Sequence, residues 1–285
     1  MKISARQLAC FLPEHKQTPN CFLPMPIPIY QVDAFAQKLF RGNPAAVCPL
    51  SQWLPDAEMQ SIAAENNLSE TAFFVPLPEE QAFDIRWFTP RVEVDLCGHA
   101  TLAAAHVIYE HLYYPMNELT FFSRSGQLVV YRADDRLILD FPAQRTEAAA
   151  SSPEITAAMG KEPIEVRTGE DLLLRYRKEA DIEALTPDFA RLARLPFRGI
   201  IATAPSTGVD FVCRFFAPAV GINEDPVTGS AFTKLIPYWA KELRKKELTA
   251  WQLSQRRGEL FCKLLTGRVQ ISGRAITYMQ GQIFL

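Results

Sequence analysis

Four short segments of this chain recur in order along it. DIRWFTP (84–90) resembles VCRFFAP (212–218), and CGHA (97–100) resembles TGSA (228–231). SGQL (125–128) resembles RGEL (257–260), and RLILDF (136–141) resembles RVQISG (268–273). The spacing between partners stays between 128 and 132 residues throughout. Self-similarity of this kind means two copies of one supersecondary unit. In each copy an aromatic and β-branched run ends at proline, as a strand does. A loop follows, then glycine, then a helix, expected at about 99–112 and 230–245. The first helix is alanine-rich and apolar nearly all round, which marks a helix buried on most sides. The second is more mixed and carries Pro237. Hairpins follow, at 119–123, 126–132 and 136–141 in the first copy and at 259–265 and 268–272 in the second. Before the first copy, PDAEMQSIAAENN reads as a helix and ETAFFVP as a strand. Between the copies, TEAAASSPEITAAMG reads as a linker with a short helix. The expected fold is therefore α+β: two pseudo-twofold-related halves, each a curved, mostly antiparallel sheet around a central helix. If the halves face each other, both helix starts open into one cleft. Free N–H groups and the helix dipole make such starts attractive to an anion. The expected ligand is thus a carboxylate. The alternative is that both turns are only glycine-assisted helix entries.

Charge and composition exclude several partners. The formal net charge is −2 and no Lys/Arg stripe is present, so nucleic acid is not expected. No apolar run reaches the ~18 residues of a membrane span. The six cysteines form no C-x-x-C pair in a chain of 285 residues, and they read as reduced thiols of a cytoplasmic protein. The four histidines form no H-x-x-x-H pair, and no metal is expected. Residues 1–24 carry Pro13, Pro19 and Pro24 without periodicity and read as a poorly ordered extension. The first half is expected over 25–143 and the second over 144–274.

The segments PIPIYQVDAF, FRGNPAAVCPL, NNLSETAFF, IRWFTPRVEVDLCGHATLAAA, RFFAPAVGINEDPVTGSA and QLSQRRGEL now stand in a familiar order. Together they resemble the PhzF family of phenazine-biosynthesis-like proteins, whose fold is similar to that of diaminopimelate epimerase. The most specific parts are CGHAT and EDPVTGSA. The resemblance implies an isomerase that works without a cofactor on a small carboxylated metabolite. It also implies that the last strand, 275–285, returns to the first half. It places the acid/base on Glu70, helper groups on His99 and Asp225, and ligand contacts on Gly98, Gly229, Ser230 and Asn43. A non-catalytic small-molecule-binding or protein-interaction role on the same fold remains the alternative. A homodimer is left open. Two departures from the family pattern stand out: Phe232 replaces a common histidine, and Arg257 replaces a glycine, so a turn that relied on positive φ there would be strained.

The residues themselves constrain the chemistry. A racemase with two thiols needs a cysteine in each copy, yet Cys97 aligns with Thr228, whose hydroxyl is too weak an acid. Cys97 is therefore expected to be a small buried residue. Glu70 sits among apolar neighbours, where burial disfavours its charged form and suits it to proton transfer; read alone, Ser69-Glu70 is more readily a local cap or surface pair. His99, at a helix start, is expected to be neutral, because the positive dipole end disfavours imidazolium. Asp225, before Pro226, is expected in extended backbone, as a ligand contact or a loop residue. Ser230 can cap its helix instead of touching ligand, and Asn43 is as readily a turn residue as a ligand contact.

Overall fold

Strands form where β-branched and aromatic residues alternate with polar ones, as in IPIYQVDA (β1, Ile27–Ala34) and AFDIRWF (β4, Ala82–Phe88). The computed structural model describes residues 26–285. It divides into two units. One holds the described residues up to Leu39 together with Pro44–Leu139 and Arg274–Leu285; the other holds Phe40–Asn43 and Asp140–Gly273. The extension expected over 1–24 lies outside the described residues.

The first unit continues with β2 (Asn43–Pro49), α1 (Asp56–Asn66), β3 (Glu70–Leu77), β4, β5 (Glu93–Val94) and α2 (Gly98–Glu110). It then runs through β6 (Glu118–Ser123), β7 (Gly126–Ala133) and β8 (Arg136–Pro142). The second holds β9 (Glu147–Ala149), α3 (Pro153–Met159), β10 (Glu165–Thr168), β11 (Leu172–Arg175), α4 (Glu179–Glu183) and α5 (Phe189–Leu192). After these come β12 (Ile200–Pro205), β13 (Phe211–Ala217), β14 (Ile222–Asp225), α6 (Gly229–Leu243), β15 (Glu247–Gln252), β16 (Gly258–Leu264) and β17 (Arg268–Gly273). The last strand, β18 (Ala275–Ile283), pairs antiparallel with β1 from Ile27↔Ile283 to Ala34↔Ala275.

The repeat in the sequence is a repeat in strand pairing. In the first unit β2 and β3 are parallel, β3–β4 and β4–β5 antiparallel, β4–β6 parallel and β6–β7 antiparallel. In the second, β11–β12, β12–β13, β13–β14, β13–β15 and β15–β16 follow the same order of directions. The fold is α+β, as the sequence implies.

Each unit wraps its sheet around one helix. In α2 every residue from His99 to Tyr109 except His106 is buried, which is why its sequence is apolar nearly all round. The other helices bury a few apolar residues each: Met59 and Ile62 of α1 pack with Ala46, Cys48, Phe73 and Phe88. Ile155 and Met159 of α3, with Ile182 of α4, pack with Leu172, Ile200 and Phe216. Helix α6 runs through Pro237 without ending. Proline removes the N–H that would reach the carbonyl four residues back. Here that carbonyl, Thr233 O, accepts the backbone N–H of Gln144 at 3.0 Å, so it is not orphaned. Phe232 is fully buried and packs against Phe211, with ring centroids 6.0 Å apart, so core packing occupies the site of that family departure.

The boundary falls at Leu139/Asp140, four residues before the sequence-based one, and the short piece Phe40–Asn43 joins the second unit. Hydrogen bonds account for that assignment. Gly42 N–H donates to Arg257 O at 2.7 Å, and the Arg256 guanidinium donates to the carbonyls of Gly42 and Arg41. Arg257 does take positive φ, +58°, a conformation that costs a side-chain-bearing residue more than glycine.

Candidate functional site

The first-unit group is built by two turns. Helix α1 ends with Asn67 in the left-handed region, φ +48°, whose N–H caps Ala63 O. Asn66 then donates from its side chain to Thr71 Oγ1 at 3.1 Å. The chain is thereby turned so that Glu70 opens β3, in register with Ala45 of β2. The second turn leads into α2. Thr101 closes back on the N-cap residue Cys97, its N–H and hydroxyl both donating to Cys97 O at 3.1 and 2.5 Å. Ser125 holds the approach by donating to Asp95 O.

These turns bring together Glu70, His99 and Cys97. His99 Nε2 lies 3.1 Å from Glu70 Oε2, and both side chains are nearly buried, 6% and 12% exposed. The other ring nitrogen, Nδ1, lies 3.6 Å from Cys97 Sγ. The imidazole is therefore flanked by a carboxylate on one edge and a thiol on the other. Burial pushes the Cys97 thiol up, and the nearby Glu70 carboxylate pushes it further, so it stays protonated. For His99, burial works against the charged ring and the Glu70 carboxylate 3.1 Å away works for it, the balance lying well above the ordinary histidine range. This corrects the expectation of a neutral His99. A carboxylate at 3.1 Å in a low-dielectric setting is a stronger influence than a helix dipole spread over a turn. The ring does not cap its helix. The three donor atoms lie within 4.8 Å of one another, a spacing from which a metal ion could be held.

In the second unit, Asp225 ends β14 in extended backbone. Its carboxylate accepts from Asn43 Nδ2 at 2.8 Å and from Thr228 Oγ1 at 2.5 Å. Asn43 is fully buried and also donates to Val227 O at 2.9 Å. It is more than a turn residue: it ties the RGN segment to the loop that carries Asp225. Gln252 at the end of β15, also fully buried, completes the clamp. Its amide donates to Asp225 O and Thr228 Oγ1, and its carbonyl accepts the Thr228 N–H at 2.9 Å. Gly258 is required here, because a Cβ on it would lie 2.2 Å from Val227 Cγ2.

Gly98 and Gly229 are the first residues of α2 and α6, and Ser230 stands in the first turn of α6 without capping it. The Ser230 hydroxyl accepts instead from Arg198 Nη2 at 3.1 Å. Arg198 is held in turn by two hydrogen bonds to Asp171, which is fully buried and lies 2.7 Å from the Nζ of buried Lys234. The sequence reading missed Gln252, Arg198, Asp171 and Lys234. A lysine inside the apolar stretch AFTKLI and an aspartate before LLL were the available signals, since such charges are buried only when paired. Gln252 gave none.

The family described as phenazine biosynthesis-like protein (PhzC-PhzF) matches residues 32–281. An "uncharacterized isomerase" of Pseudomonas aeruginosa is 54% identical over 262 residues, which span 92% of this chain and all of that protein. The mouse phenazine biosynthesis-like domain-containing protein 1 is 42% identical, over 91% of this chain and 99% of its own. Among solved structures, a PhzF-family protein of Enterococcus faecalis is 46% identical with a TM-score of 0.90, over 92% of this chain and all of its own. A hydroxyproline epimerase from Agrobacterium vitis shares the fold at 11% identity, with a TM-score of 0.59. With most of its length matched and 54% identity to a full-length relative, the chain belongs to the PhzC/PhzF family of phenazine biosynthesis-like proteins.

Proposed function

We propose that this protein is an isomerase that moves a proton on a small carboxylate-bearing metabolite, with Glu70 as the acid/base. The observation that carries the reading is the buried 3.1 Å contact between Glu70 and His99. That contact fixes the Glu70 carboxyl beside a ring that can exchange a proton with it or with substrate, as a base needs. The base removes a proton from a carbon next to a carbonyl or carboxylate, and negative charge develops on the substrate oxygens. The cationic ring is suited to balance that charge by donating a hydrogen bond or to relay the proton. Glu70, now carrying the proton, returns it to a different carbon. General acid–base catalysis of this kind contributes roughly 10²–10⁴-fold.

Isomerase names among the relatives support the reaction class. A two-thiol racemase is disfavoured, because Thr228 stands opposite Cys97 in the repeat and its hydroxyl is engaged with Asp225. Asp225, Gly98, Gly229 and Ser230 are proposed as the groups that hold the substrate, and Asn43 as the residue that holds Asp225.

The test is solvent exchange. Candidate carboxylates are incubated in D₂O with wild-type, Glu70→Gln and Asp225→Asn proteins, and deuterium at carbon is read by mass spectrometry. Glu70→Gln should lose at least ~10²-fold in exchange while ligand binding changes much less, and Asp225→Asn should lose less than that. A folded Glu70→Gln protein that binds ligand and exchanges at the wild-type rate would refute the assignment. Binding without exchange by the wild type would favour a non-catalytic module.

A further inference from the structure

We propose that Cys97, His99 and Glu70 form a binding site for a single thiophilic divalent cation such as Zn²⁺. The three side chains are those that zinc prefers, a thiolate, an imidazole and a carboxylate. Their donor atoms already lie within 4.8 Å of one another. Tetrahedral zinc with bonds of about 2.3 Å to sulfur and about 2.0 Å to nitrogen brings S and N to roughly 3.5 Å of each other. Cys97 Sγ and His99 Nδ1 stand 3.6 Å apart. Those two ligands therefore need almost no movement. Glu70 faces the opposite ring nitrogen, so its carboxylate must swing toward the Nδ1 edge, or the ring must turn, to complete the set. Glu70 Oε2 is buried and faces His99 Nε2 at 3.1 Å, and metal binding exchanges that contact for a bond to the ion.

Charge and hardness both favour a soft divalent ion. One thiolate and one carboxylate cancel the double charge of the ion, so a neutral group replaces separate charges in a dry setting. Binding forms an S–Zn bond, and the thiol proton and the imidazolium proton pass to solvent. Mg²⁺ and Ca²⁺ are poorly served, since they require several oxygen ligands. An ion held by Glu70 would silence the acid/base. That consequence rests on the proposed role of Glu70, whereas the binding itself does not.

The test uses the metal alone on the full chain. Co²⁺ is titrated into the metal-free protein while the near-ultraviolet thiolate-to-cobalt band and the visible bands are followed; Zn²⁺ is then titrated in competition. The background carries Cys10→Ser and Cys21→Ser, so that residues outside the described region cannot supply the thiolate. The expected result is uptake of one ion, unaffected by excess Mg²⁺. The thiolate band should vanish in Cys97→Ser. Affinity should fall in Cys97→Ser and in His99→Ala by more than the ~10–100-fold that loss of an outer-sphere partner costs. Circular dichroism checks that each variant is folded, and Glu70→Gln provides a third, isosteric variant expected to weaken binding. No uptake by this background, or equal Zn²⁺ affinity in folded Cys97→Ser, would overturn the proposal. Because the titration needs no substrate, its failure would leave the proton-transfer reading standing, and a failure of solvent exchange would leave the metal site standing.

Discussion

Replacing Asn43 with Asp changes one heavy atom and almost no volume, yet it should be among the more damaging substitutions in the second unit. The wild-type amide is fully buried and donates to Asp225 Oδ1 at 2.8 Å and to Val227 O at 2.9 Å. A hydrogen bond to a charged group contributes about 1.5–3 kcal/mol and one to a neutral carbonyl about 0.5–1.5 kcal/mol. Asp at 43 can donate neither while ionised, and it sets a second negative charge against Asp225. The loss should be about 3–5 kcal/mol at pH 7, at the large end for single substitutions. The fold can soften it by binding one proton between the two carboxylates, which raises an apparent pKa in the folded state above the unfolded value of about 3.9. A raised folded pKa contributes stability below the unfolded value and loses it as pH rises through the folded one. The variant should therefore regain stability relative to wild type on going from pH 7 toward pH 4, by at most about 1.4 kcal/mol per pH unit. Urea titrations of wild type, Asn43→Asp and Asn43→Ala at several pH values measure this. Asn43→Ala loses the same bonds without adding charge, so it should be destabilised with no pH slope of its own. An Asn43→Asp protein within ~0.5 kcal/mol of wild type at pH 7, the range of an ordinary surface change, or with a pH profile parallel to it, would refute the argument.

Three further outcomes follow from the geometry. His106 accepts or donates at Thr277 Oγ1, and burial, aided by the neighbouring His111, lowers it to about 4. A depressed folded pKa gives stability that is present above about 6.5 and lost as pH falls toward 4, so His106→Asn should flatten acid denaturation by about 2 kcal/mol at pH 5. Pro237→Ala should change stability by less than ~1 kcal/mol rather than gain the ~3 kcal/mol of removing a typical mid-helix proline, because Gln144 already serves Thr233 O; denaturant midpoints decide it. Arg257→Gly should raise stability slightly, since relief of a left-handed residue worth about 1–2 kcal/mol is partly offset by the greater freedom of glycine when unfolded. A fall in melting temperature would show that the Arg257 contact over Trp251 matters more than its backbone.

Much of the fold could be read because the chain states its pattern twice. The helix expected over 99–112 forms over Gly98–Glu110, and that over 230–245 forms over Gly229–Leu243. Their starts were legible from glycine after an extended run. The stretch from Glu165 to Pro205 was not read, and it holds three strands of four to six residues and two helices of four and five. Helices that short complete less than two turns and strands that short show only two or three alternations, so their identity is fixed by pairing and packing. The site was legible where motifs were long, as at CGHAT and EDPVTGSA. What could not be read was charge state. His99 was expected to be neutral from its place on a helix, whereas the residue that sets its charge, Glu70, is 29 positions earlier and meets it only through the fold.

The repeat also bears on why the base proposed here would belong to one half and not the other. Glu70 is the first residue of β3 and pairs with Ala45 on the parallel strand before it. The equivalent place in the second unit is Ile200, first residue of β12, paired with Leu172 on its own parallel neighbour. Ile200 is fully buried in the apolar cluster under α3 and α4 and has no group that can hold a proton. The same divergence separates the helix starts: Cys97 and His99 stand where Thr228 and Ser230 stand in the second copy. Thr228 and Ser230 are neutral hydroxyl residues engaged with Asp225 and Arg198. Two copies that each kept an acid/base would suit proton removal on one face of a carbon and return on the other. One copy that kept it, beside one that became a clamp, suits a single carboxyl that both takes and returns the proton. If that division holds, Ile200→Glu should not create a second base. It would place an unpaired carboxylate in a dry core, where the group must either be neutralised or cost several kcal/mol. The measurable result is loss of stability with no gain in solvent exchange; a folded Ile200→Glu protein that restores exchange to Glu70→Gln would show that the second copy had never lost the machinery around that position.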